Sequence, residues 1–148
     1  MASPFPGAAY FFDLNQGGVV CDAGLNSSTD GARLTVTGNR EVGQANLSLA
    51  VYDAPPGFAG IFLMGPGGTP QPFGANGSLC VGKPFARMTG IRTIGPEGSV
   101  MYQVDFTTQP ASTLLYPGAK ATFQFAHRDT DSGQPTINTS QAVEVVFE

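Results

Sequence analysis

His127 is the only histidine among the 148 residues. It is therefore the only side chain whose ordinary pKa suits base catalysis at neutral pH. A Ser-His-Asp hydrolase would need it as the base. The chain has no Gly-x-Ser-x-Gly elbow to supply the nucleophile. His127 closes the run Ala121-Thr122-Phe123-Gln124-Phe125-Ala126-His127, in phase with Phe123 and Phe125 at a period of two. That spacing predicts an inward-facing packing histidine near a strand end. No enzyme is expected, and no cofactor.

Asp129-Thr130-Asp131-Ser132-Gly133 spaces two carboxylates as a short calcium loop would. Calcium takes roughly six to eight oxygen ligands, and no bidentate Glu follows at the EF-hand position. Asp and Gly are equally what a hairpin turn needs. Asp129 and Asp131 thus stay a weak calcium candidate beside the plain turn, and no metal site is expected. Arg128 and Asp129 could also pair across strands. Gly65-Pro66-Gly67-Gly68 lacks the Lys-Ser/Thr of a phosphate loop, and no helix follows it. Asn26, Asn46, Asn76 and Asn138 begin Asn-x-Ser/Thr sequons, read here as turn and edge hydrogen-bonding groups. Tyr52, Tyr102 and Tyr116 could build a sugar-binding platform, with core or rim packing as the alternative. Cys21 and Cys80 are the two cysteines. They could form one bridge across a loop of about 60 residues in an oxidising compartment; the other reading is two buried thiols.

The elements that must carry these residues are strands. Val100-Met101-Tyr102-Gln103-Val104-Asp105-Phe106 puts Val100, Tyr102, Val104 and Phe106 on one face. It is the second long alternation, and it again predicts one buried and one wet face. Shorter alternations occupy residues 33–37 and 46–52, the latter with Leu47, Leu49 and Val51 inward. Gly60-Ile61-Phe62-Leu63-Met64 is continuously apolar, as for a central strand covered on both faces. Strands are also expected over residues 8–14, 19–21, 79–81, 86–94 and 142–147. Residues 65–76 and 129–135 read as loops, and no helix of useful length is expected. About eight to ten strands at this spacing predict an all-β antiparallel sandwich, immunoglobulin/fibronectin-III-like or jelly-roll-like.

Composition narrows the partners. Charged residues are 12% of the chain and the net charge is −4, so the wet surface is Ser, Thr, Asn and Gln. That suits an extracellular setting and favours the bridge between Cys21 and Cys80. Seven basic residues are scattered singly, which argues against nucleic acid. No apolar run approaches the ~20 residues of a membrane span, so no membrane insertion is expected. Met-Ala-Ser-Pro-Phe-Pro-Gly is not a signal peptide. Either a leader was removed and Met1 added, or the protein does not cross a membrane by that route. Residues 1–18 form an N-terminal arm or first strand, and residues 19–148 one sandwich domain. The arm clusters Phe5, Tyr10, Phe11, Phe12 and Leu14. These must be covered, by their own sandwich or by a neighbour to whose sheet they add.

Several pieces, in order, resemble a domain at the C-terminal ends of large secreted proteins of planctomycetes, myxobacteria and related bacteria. They are Cys21, Asn26-Ser27-Ser28-Thr29, Pro55-Pro56-Gly57, Gly60-Ile61-Phe62, Pro72-Phe73-Gly74-Ala75-Asn76-Gly77, Leu79-Cys80-Val81-Gly82 and Arg87. Pro117-Gly118, Phe123-Gln124-Phe125, Arg128-Asp129 and Asn138-Thr139-Ser140 complete the set. The resemblance covers about residues 20–148. It departs at Ala126-His127, where the family usually has Trp-Tyr, and at Asn138-Thr139-Ser140, where it often has Asn-Leu-Ser. It implies a secreted, disulfide-bonded, all-β accessory module with no established active site. The expected role is a non-enzymatic structural or interaction module, extracellular or on a cell or particle surface. A carbohydrate-binding accessory domain is one alternative. A self-assembling fibre subunit or virion decoration protein using the N-terminal arm is another. The partner would be a protein or a second copy, with a glycan as the further option.

Overall fold

The computed structural model describes residues 16–148. The expected strand over residues 8–14 and the arm residues Phe5, Tyr10, Phe11, Phe12 and Leu14 lie outside them. In chain order the strands are β1 (Gly18–Cys21), β2 (Arg33–Gly38), β3 (Leu47–Tyr52), β4 (Ala59–Gly65), β5 (Gly67–Phe73) and β6 (Gly77–Val81). Then come β7 (Ala86–Arg87), β8 (Arg92–Thr93), β9 (Val100–Gln103), helix α1 (Ala111–Leu114), β10 (Lys120–Asp131), β11 (Gln134–Thr139) and β12 (Ala142–Val146).

Every strand pair is antiparallel. One sheet runs β1-β12-β10-β4-β7, with β11 on the far half of β10 and β8 on the far half of β4. A second sheet, β2-β3-β9, packs over it. The core between them holds Leu34, Val36, Leu47, Leu49 and Val51 from one side and Phe62, Phe123, Phe125, Val143 and Val145 from the other. Burial of each large side chain contributes about 1.5–3 kcal/mol. Phe62 and Phe125 meet with ring centroids 4.8 Å apart, and Phe123 meets Phe147 edge-on at 6.3 Å. The all-β sandwich and the inward faces of residues 47–51 and 121–127 are as the alternation predicts.

The other face of the large sheet is not wet. Thr122, Gln124 and Ala126, the alternate positions of β10, are buried. The β5–β6 hairpin lies over them and closes a second apolar cluster of Leu63, Val81 and Ala126, flanked by Ile61, Phe73 and Leu79. Gln124 fastens the hairpin. Its Oε1 accepts from the Cys80 N–H at 2.9 Å, and its Nε2 donates to the Ser78 and Ser140 carbonyls at 2.8 and 3.0 Å. The Cys21–Cys80 disulfide, Cα–Cα 6.4 Å, ties the same hairpin to edge strand β1.

Several other corrections trace to proline and glycine. Residues 67–73 read as loop because Pro70 and Pro72 lack an N–H, yet they form β5, which pairs with β6 alone and tolerates the missing donors. Residues 134–139, of which Gln134-Pro135 lie in the expected loop and the rest carry no expected strand, form β11. The expected loop over 129–135 shrinks to Ser132-Gly133, both at positive φ (51° and 78°), as a two-residue hairpin turn requires. The expected strand 86–94 is instead β7 and β8, both on β4, separated where the chain bows out at Thr89-Gly90. Strand β9 stops at Gln103, although Val104 stays buried and Phe106 packs on the core. Among the described residues no helix is long and apolar enough to cross a membrane.

Candidate functional site

His127 is a packing residue in this fold. It is buried and stacks on Phe125, centroids 5.9 Å apart and planes 24° apart. Its Nδ1–H donates to the Arg128 carbonyl at 2.8 Å, which fixes the tautomer and leaves Nε2 as the free lone pair. No polar group among the described residues meets Nε2. Burial holds the imidazole below its ordinary pKa, against smaller opposing effects of the Arg128 carbonyl and the Asp129 charge. The ring is neutral at pH 7, and among the described residues no nucleophile is hydrogen-bonded to it.

Asp129 and Asp131 stand on β10, not on a loop. The Asp129 carboxylate faces in and accepts from the Ser27 and Thr130 N–H groups and from Asn138 Nδ2. Burial pushes its pKa up, but the hydrogen bonds from Ser27, Thr130 and Asn138 outweigh burial and hold it below the usual carboxylate range. Asp131 is exposed, with Asn76 Nδ2 3.4 Å away. Protein donors therefore surround the first carboxylate. Among the described residues no three His, Cys, Asp or Glu side chains are grouped to hold a metal ion.

Two sequon asparagines serve this same end of the molecule. Asn26 Oδ1 caps the N–H groups of Ser28 and Thr29, while Asn26 Nδ2 and Thr29 Oγ1 donate to the Asp53 carbonyl. Asn138, buried, donates to the Leu25 carbonyl. Together with Asp129 they pin the residue 22–31 loop to the sheet.

The open feature lies on the outer face of the large sheet, where the hairpin cover ends. The pleat there puts Ile61, Ala126 and Thr139 in one cross-strand row and Arg128 beside Ile137 in the next. Phe73 on β5 forms one wall, and Ile91, lifted out by the Thr89-Gly90 bow, forms another. Gly60 lines the floor with its backbone; a Cβ there would point into the core and strike the Phe125 ring. The hollow has a volume of 310 Å³, at the small end for ligand sites. Its rim carries Arg87 and Arg128, both exposed. Among the described residues neither enters an ion pair; the ion pairs are Arg33–Asp53 and Arg40–Glu148. Ile91 is 79% exposed and Ile137 37%. The groove thus combines an apolar lining with two guanidinium groups that enter no ion pair among the described residues, in a chain of net charge −4.

The three tyrosines do not make a shared platform. Tyr102 packs on Phe62 under Arg92, Tyr52 is exposed at the end of β3, and Tyr116 lines a separate hollow with Pro84 and Leu114. Sequence reasoning did not find the groove. Arg87 was visible only as a piece of the family resemblance and Arg128 only there and as a cross-strand partner for Asp129, and the apolar rows come together through β11, for which no strand was expected. Comparisons of the chain with protein-family models, with curated proteins and with solved structures find no match.

Proposed function

We propose that this chain is a non-enzymatic interaction module, working outside the cell or on the surface of an assembled particle, that holds a protein partner in the outer groove. The observation that carries this reading is the pairing of exposed Ile91 and Ile137 with Arg87 and Arg128, which enter no ion pair among the described residues, around one hollow. A surface of that kind suits a protein ligand better than a sugar, which favours stacked aromatic faces and neutral hydrogen-bonding groups. A buried His127 whose one hydrogen bond among the described residues goes to the Arg128 carbonyl supports the non-enzymatic part. The disulfide and the low charge are compatible with an extracellular location. The resemblance to C-terminal domains of secreted bacterial proteins points the same way.

The test is site-specific photo-crosslinking. A photoreactive residue at Ile137, in the groove, is compared with one at Tyr52, on the opposite sheet, in the intact surface or particle fraction of producing cells. Defined crosslinks from position 137 and none from position 52 are expected. Equal labelling, or none from 137, would refute the assignment. A hydrolytic activity that disappeared on His127→Ala would refute the non-enzymatic part.

A further inference from the structure

We infer that the groove receives the N-terminal segment Tyr10-Phe11-Phe12-Asp13-Leu14 of a second copy of this chain. The inference rests on the interaction reading above and names its partner. The segment is complementary in chemistry: it places one carboxylate inside an apolar, mostly aromatic run. The groove offers Ile61, Phe73, Ile91 and Ile137 to the apolar side chains, and Arg87 and Arg128 to Asp13. A guanidinium at a partly desolvated rim is well suited to fixing a carboxylate.

The anchoring of the chain at Gln16 decides between the same copy and another. The Gln16 N–H donates to the Val36 carbonyl on β2 at 2.6 Å. Residue 16 therefore lies against the smaller sheet, on the opposite side of the core from the groove. From there to Arg128 the path crosses both layers, passes β12, and runs from the Lys120 end of β10 toward its Asp131 end. With ~10 Å between sheets, ~4.8 Å between strands and ~3.3 Å per residue, that path is roughly 25–30 Å. Asp13 precedes Gln16 by three residues, a reach of about 10 Å even when fully extended. Asp13 cannot meet its own groove. A neighbouring copy brings it there without any such limit, and the contact, being head-to-tail, propagates to further copies.

The experiment uses the full-length chain. Sedimentation velocity over a wide concentration range should show reversible association of the wild type. Arg87→Glu with Arg128→Glu should weaken it more than about tenfold, since like charges facing across a contact are strongly unfavourable. Asp13→Lys should do the same, and the triple variant should regain association. All three positions are charged and two are exposed on the surface, so circular dichroism should show unchanged folding. A photoreactive residue at Phe12, in a mixture of isotopically light and heavy copies, should give links to groove residues between copies. A wild type that stays monomeric, reversals that leave association unchanged, or links confined to one copy would each overturn the inference. A foreign protein linked at Ile137 with no link from Phe12 would overturn it and leave the interaction reading standing. No link from Ile137 at all would overturn both.

Discussion

Gln124→Ala tests how the hairpin is held. The side chain is fully buried and makes three hydrogen bonds to main-chain groups. Truncation leaves the Cys80 N–H without an acceptor and the Ser140 carbonyl without that donor. The Ser78 carbonyl keeps a bond from Thr139 Oγ1 at 3.1 Å. Each of the two orphaned buried groups costs about 1–3 kcal/mol, so the variant should lose about 2–6 kcal/mol. For a chain of this length that lowers the melting temperature by roughly 5–20 °C. Gln124→Glu should be no better at pH 7. An ionised carboxylate still accepts from Cys80 but donates to neither carbonyl, and the charge is buried. The assay is equilibrium denaturation with the disulfide intact, alongside hydrogen exchange at Cys80. A loss below about 0.5 kcal/mol, or unchanged exchange at Cys80, would mean that the apolar contacts hold the hairpin and the glutamine does not.

Denatured, unreduced protein should titrate with no free thiol, and reduction should cost about 4 kcal/mol by chain entropy for a separation of 59 residues; a reduced protein of equal stability would contradict this. Phe123→Ala and Phe125→Ala should each cost about 3–5 kcal/mol in denaturant melts, as buried aromatics do. The buried imidazole of His127 titrates below its ordinary 6.5 in the folded chain. The unfolded chain therefore takes up the proton first, and stability should fall as pH drops below about 6.5, full stability lying above it. His127→Phe should remove that slope between pH 7 and 5, and an unchanged slope would exclude His127 as its source.

The long alternating runs made the core readable. Phe123, Phe125, Leu47 and Leu49 face where period two puts them, because one buried face is enough to set register. The same rule misplaced Gln124 on a wet surface. A polar side chain in alternation looks identical whether it meets water or a covering hairpin, and only β6 arriving above it makes the difference. That hairpin was itself hidden by Pro70 and Pro72, and β11 by Pro135, since a proline in a short polar stretch signals a loop unless the strand lies at an edge. The groove depends on both elements, so its walls were invisible. The disulfide was legible from cysteine number and setting, since two cysteines leave one pairing.

The two parts of this molecule answer to different constraints. The sandwich core involves β2, β3, β4, β10 and β12 and accepts few changes in volume. Strand β5, which supplies Phe73 to the groove wall, pairs with β6 alone among the described strands. The hairpin is held to the rest by the disulfide, by Gln124, by the Thr139–Ser78 hydrogen bonds and by the apolar contacts of Phe73 and Leu79. The exposed positions of β5, unlike Phe73, are therefore free to change while the folding unit stays as it is. Across a lineage, recognition could be rewritten on the hairpin without putting stability at risk, with Cys21, Cys80 and Gln124 as the positions that every version must inherit.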